Sequence, residues 1–195
     1  MTPGFANPVL GAQSSFRAVL HALSHPGSIL KLMDAPHAPA PLNPAAAALA
    51  LALCDADTSL WQDGGPAIAE WLRFHTGASP APLHKARFLI ATGAAPPLAS
   101  LALGSDEAPQ DGATLFLQVA TLEAAPGWRL TGPGIEIATD LRVTGLASGS
   151  AAEFAAEFVA DRAALASLFP RGIDIVLCAG SKIAALPRTT RIEVT

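Results

Sequence analysis

Apolar positions along the chain follow two rhythms, a spacing of three to four residues that predicts helices and short β-branched or aromatic runs that predict strands. The first helix is predicted over residues 8–23. Val9, Ala12, Phe16, Val19, Leu20 and Leu23 form its inward stripe, Asn7 and Pro8 supply the N-cap and the first-turn proline, and His25-Pro26-Gly27 stops it. Gln13 and Arg17 lie four apart on this helix, away from that stripe, as a solvated polar face or a partner contact. Asn43-Pro44 repeats the start signal and opens an Ala/Leu helix to residue 53 that is apolar nearly all round, hence buried. A third helix spans 66–74 with Ile68, Trp71 and Leu72 inward and His75-Thr76-Gly77 closing it. The fourth begins at a Ser150/Glu153 capping box and runs to about 168, with Phe154, Phe158, Leu165 and Leu168 as its apolar face.

Strands are predicted at 28–33, 59–61, 88–91, 114–120, a run ending at Leu130, 140–144, 173–178 and 192–194. The run at 173–178 is apolar enough to be buried on both faces. Residues 35–44, with four prolines, read as a semi-rigid extended segment, and 104–112 as a polar loop. Strands and helices alternate throughout, which predicts an α/β fold in a single domain over 1–195.

The turn Leu130-Thr131-Gly132-Pro133-Gly134-Ile135 is the most distinctive punctuation. Pro133 fixes one φ near −65° while Gly132 and Gly134 are free to take positive φ. Such a turn can hold an anion, place a partner or only reverse the chain.

Composition narrows the functional classes. Hydrophobic residues are 51% of the 195 and charged ones only 14%, so little charge is spread over the surface and a partner is expected to cover part of it. A net charge of −4 without a basic stripe predicts no nucleic-acid binding. No stretch is long and apolar enough to predict a membrane span. Met1-Thr2-Pro3-Gly4 lacks the basic and apolar regions of a signal peptide, so a cytoplasmic location is expected. Cys54 and Cys178 sit in apolar runs and read as small buried hydrophobes.

Catalytic motifs are missing. Gly180-Ser181-Lys182 lacks the earlier glycine of a phosphate-binding loop, Gly132-Pro133-Gly134 lacks the third glycine of a dinucleotide fingerprint, and no G-x-S-x-G elbow occurs. Asp55 and Asp57 are two apart, as metal ligands or as turn-capping acids. His21 and His25 are four apart, but the second lies at a helix exit. His75 is read as a helix C-terminal cap rather than a general acid or base. Of the lysines, Lys182 is the least implausible Schiff-base candidate. Arg188-Thr189-Thr190 after Pro187 has the donors to grip a phosphate or carboxylate, or forms a strand-entry turn.

Seven segments in order resemble one family. They are the opening from Phe5-Ala6-Asn7-Pro8-Val9 to Pro26-Gly27, Leu53-Cys54-Asp55-Ala56-Asp57-Thr58, Phe74-His75-Thr76-Gly77, Ala113-Thr114-Leu115, residues 130–135, Phe169-Pro170-Arg171-Gly172-Ile173-Asp174, and Leu186-Pro187-Arg188-Thr189-Thr190. Together they resemble the H subunits of the bacterial carbon–phosphorus lyase core complex, the PhnH family. The resemblance implies a three-layer α/β/α domain like the pyridoxal-phosphate-dependent transferases but without that or any other cofactor. It implies a homodimer that joins the G, I and J subunits in phosphonate catabolism. There ATP and an alkylphosphonate give alpha-D-ribose 1-alkylphosphonate 5-triphosphate, with this subunit structural or substrate-positioning rather than catalytic. The alternative is a stand-alone nucleotide- or phosphonate-binding module built from the turn at 132–135 and Arg188. Gln13, Arg17, Gly132, Pro133, Gly134, Arg188 and Thr189 are the candidate contacts with ligand or partner. The Ala/Leu helix and the terminal strand are candidates for the dimer interface.

Overall fold

Asparagine and proline start the first two helices as their order in the sequence predicts. In the computed structural model, which describes residues 2–145 and 151–195, Asn7 Oδ1 accepts from Leu10 N and Asn43 Oδ1 from Ala46 N. The elements in chain order are α1 (Pro8–Ser24), β1 (Leu30–Lys31), α2 (Pro44–Leu53), β2 (Ser59–Gln62), α3 (Pro66–Thr76), β3 (Ser79–Pro80), β4 (Phe88–Ala91) and β5 (Thr114–Gln118). They continue with β6 (Thr121–Thr131), β7 (Thr139–Thr144), α4 (Ala151–Ala166), β8 (Asp174–Ala179), β9 (Lys182–Leu186) and β10 (Arg191–Val194). The Ser150/Glu153 capping box and Phe154 fall outside the described side chains.

A seven-stranded sheet in the order β1-β9-β8-β5-β4-β2-β3 divides the molecule. Its strands from β8 to β3 are parallel, while β9 pairs antiparallel with both β8 and β1. Successive side chains of a strand point to opposite faces, so β5 sends Phe116 one way and Leu115 and Leu117 the other. The Phe116 face packs α1, α2 and α3. The opposite face packs α4 and a three-stranded antiparallel sheet, β10-β6-β7, where the Trp128 and Phe158 rings stack at 5.4 Å. The α/β expectation holds, with a mostly parallel sheet. One outer layer is a helix beside a small sheet, because the run ending at Leu130 continues from an 11-residue strand, β6, that pairs away from the main sheet.

The stripe expected on α1 is half right: Val19 is buried and Ala12 and Leu23 pack against the core, but the three other positions do not. Its buried positions are Gly11, Ser15, Val19 and Ala22, while Val9, Phe16 and Leu20 face outward. Close approach decides this, since a Cβ on Gly11 would lie 2.5 Å from Cγ of Phe5. Small residues admit the Phe5 ring and the alanine-rich α2 where large ones would hold the helices apart. Gln13 therefore sits within the outward apolar seam rather than apart from it. Helix α2 is consumed inside the chain, with Ala45 to Ala50 fully buried, and this removes its main face as a dimer-interface candidate.

Candidate functional site

Ligands of parallel α/β sheets usually bind beyond the carboxyl ends of the strands. Here the ends of β5 and β8 are covered by the chain itself. Gln118, at the end of β5, accepts from Asn43 N and donates through Nε2 to Pro41 O at 2.9 Å. Asn43 Nδ2 donates to Cys178 O at 2.8 Å, so the N-cap of α2 also ties together the ends of β5 and β8. At β4 and β2, Asp63 Oδ1 accepts from both N and Oγ1 of Thr92. The proline-rich segment is thereby fastened at the ends of β5 and β8.

The polar residues singled out from the sequence gather at two other places. The first is the entry to β10. Asp174, at the start of β8, accepts from Arg188 N at 2.8 Å and pairs through Oδ2 with Nη2 of Arg188 at 2.8 Å. Arg188 Nη1 donates to Pro109 O at 2.6 Å and to Pro170 O at 3.4 Å. Gly112 and Gly172 make room for this side chain; a Cβ on Gly112 would lie 3.2 Å from the guanidinium and 2.2 Å from Gly172 O. Behind it lies Arg162 of α4, only 6% exposed, donating to the carbonyls of Ile173, Leu186 and Pro187. Burial lowers its pKa to about 10, opposed by the Asp174 charge and assisted by Arg188. Two guanidinium groups thus bind the loop at 109–112, the exit of α4 and the link from β9 to β10 around one carboxylate. Sequence reasoning missed Arg162 and Asp174. An arginine inside a helix reads as solvated, but Arg162 is four residues after Phe158 and three before Leu165, on the apolar face itself.

The second place is the Gly-Pro-Gly turn between β6 and β7. Ile135 N donates to Gly132 O at 3.1 Å across Pro133 and Gly134, whose φ is +85°, a type II arrangement. The turn is braced on both sides. A Cβ on Gly134 would lie 2.3 Å from Ser24 O, and one on Gly132 2.9 Å from Thr189 O. The structure therefore brings Gly132 beside Thr189, while the Arg188 guanidinium points away toward Asp174 and Pro109. Gln13 and Arg17 are exposed on α1, two to three turns before the Ser24 contact.

The remaining candidates have local partners. Asp55 Oδ1 accepts from Asp57 N, and Asp55 N donates to Thr58 Oγ1, which makes this pair of acids a turn. His75 hydrogen-bonds Thr2 O at 3.1 Å and packs on Trp71, and the αL cap of α3 is Gly77. His21 and His25 stack at 4.4 Å, with Ser24 Oγ on His25 Nδ1. Lys182 is exposed where β9 begins, opposite Lys31. Burial raises the Cys54 thiol to about 12 and raises Cys178 further, so both stay protonated. Among the described residues no three His, Cys, Asp or Glu side chains converge as metal ligands, and no helix is long and apolar enough to cross a membrane.

Residues 3–193 match the family model of the bacterial phosphonate metabolism protein PhnH. The chain belongs to the PhnH family. It is 38% identical, over 97% of its length and 94% of the relative's, to the alpha-D-ribose 1-methylphosphonate 5-triphosphate synthase subunit PhnH of Rhizobium meliloti (strain 1021). It is 33% identical to the putative C-P lyase subunit protein HtxG of Stutzerimonas stutzeri, over 93% of this chain and 86% of that one. The braced Gly-Pro-Gly turn and the Arg188 junction both lie within the matched residues.

Proposed function

We propose that this chain is a non-catalytic, structural or substrate-positioning subunit of the carbon–phosphorus lyase core complex. In that complex it is required for forming alpha-D-ribose 1-alkylphosphonate 5-triphosphate from ATP and an alkylphosphonate during phosphonate catabolism. It works in the cytoplasm as a homodimer joined to the G, I and J subunits, as one domain with a cofactor-free version of the pyridoxal-phosphate transferase fold. The observation that carries this is the match to a synthase subunit across nearly the whole of both chains. The non-catalytic part is supported by what the polar residues do: Gln118 and Asn43 close the strand ends, Arg188 and Arg162 hold loops, and both thiols stay protonated.

The test is reconstitution. Purified G, I and J subunits given ATP and methylphosphonate form the ribosyl phosphonate when this chain is added, and the chain alone gives no turnover. Turnover by the chain alone would overturn the non-catalytic reading. Full activity of the other subunits without it would overturn the requirement.

A further inference from the structure

Four of the large apolar side chains that stand in solvent share one helix. Val9, Leu10, Phe16 and Leu20 of α1 are 77%, 60%, 45% and 51% exposed. Val9, Gln13, Phe16 and Leu20 recur at spacings of four, three and four, which aligns them as a seam about 16 Å long. This is a second face of the helix, since the core side is made by Gly11, Ser15, Val19 and Ala22. Ile137, 80% exposed, lies two residues beyond the turn that is braced against the exit of α1.

Arg17 is the charged side chain of α1 and flanks the seam, and no Asp or Glu occurs before Asp34 in a chain that carries 16 acids and a net charge of −4. Glu136, beside Ile137, is exposed on the neighbouring loop. The complementary surface has an apolar centre and a rim of carboxylates. A second copy of this chain presents the same arginine, so pairing α1 with α1 leaves Arg17 without a counter-charge from either helix.

We propose that α1 is the docking helix of this chain. Its Val9-Gln13-Phe16-Leu20 seam packs into an apolar groove on a companion subunit of the assembly, and Arg17 pairs with carboxylates at that groove's edge. The inference rests on the assembly reading above.

The test titrates this chain and its variants against the co-purified G, I and J subunits by calorimetry at two salt concentrations. Phe16→Glu and Leu20→Glu are expected to weaken binding about thirtyfold or more, the scale of an interface anchor. Arg17→Glu is expected to weaken it about tenfold and to reduce its salt dependence. Glu107→Gln, at an exposed site in the loop at 104–112, leaves binding unchanged. Thermal melts check each fold, and Phe16→Ala with Leu20→Ala replaces the glutamate variants if those melt early. No binding by the unaltered chain overturns the assembly reading. Binding that all the α1 variants retain overturns this inference alone, and an unaltered affinity for Arg17→Glu overturns the carboxylate rim. Conversion of a dimer to a monomer by Leu20→Glu, with subunit binding intact, assigns the seam to a second copy and also overturns it.

Discussion

Asp174 accepts from Arg188 at the backbone N–H and at guanidinium Nη2, both at 2.8 Å, and from Nε at 3.4 Å. The same carboxylate is the negative charge that favours the protonated form of buried Arg162. One side chain thus compensates two arginines and fixes the chain's passage from β9 into β10.

Removing it leaves guanidinium groups in low dielectric without a counter-charge. Asp174→Ala is expected to destabilise the fold by about 3 kcal/mol, the lower end for breaking a buried pair because neither partner of the Arg188 ion pair is fully enclosed. Arg162→Met removes a buried charge and its donors together, and costs less than Asp174→Ala. Urea unfolding followed by circular dichroism measures both, and the reverse ranking would contradict the role given to Asp174.

The Gly-Pro-Gly turn is wedged between Ser24 and Thr189. Gly134→Ala puts a methyl group against Ser24 O in a backbone with φ of +85° and is expected to cost about 1–3 kcal/mol. Pro133→Ala removes only the ring and its constraint, and costs less than about 1 kcal/mol. A shift in melting temperature for Gly134→Ala no larger than for Pro133→Ala would mean that the turn is not held by its neighbours.

Alkaline pH reads the buried thiols. Cys54 keeps its proton up to about 12 when folded against an ordinary 9.0. The folded state therefore binds more protons than the unfolded state between those values. Stability is unaffected below pH 9 and falls as pH rises through 9 toward 12, by up to about 1.4 kcal/mol per unit for each such thiol. Cys178 acts in the same direction. Arg162, lowered to about 10, partly offsets this above pH 10, because there the unfolded chain holds the extra proton. Melting temperature against pH should bend downward above 9, and Cys54→Ala should flatten the bend. A thiol reagent that labels both cysteines of the native protein rapidly at pH 8 would contradict their burial.

Helix α2 and strand β8 were legible because a run that is apolar on every side can only be buried. Asn7, Pro8, Asn43 and Pro44 were legible because their preferences act within one turn of helix. The orientation of α1 was not. Hydrophobicity ranks Phe16 and Leu20 above Gly11 and Ser15, but the helix packs on Phe5 and on an alanine surface, where small size outweighs transfer energy. The small sheet was also hidden, since a strand such as β6 does not declare its partner. At the candidate site the sequence supplied Arg188 and the turn. It did not show that Asp174 already engages Arg188, because those residues meet only when β8 and the end of β9 lie side by side.

The central claim is membership in a multi-subunit assembly, and the most direct measurement is co-expression with the G, I and J subunits followed by size-exclusion chromatography. This chain is expected to elute with the other three in one high-mass peak. Elution of the chain by itself, with the other three assembled without it, would contradict the account.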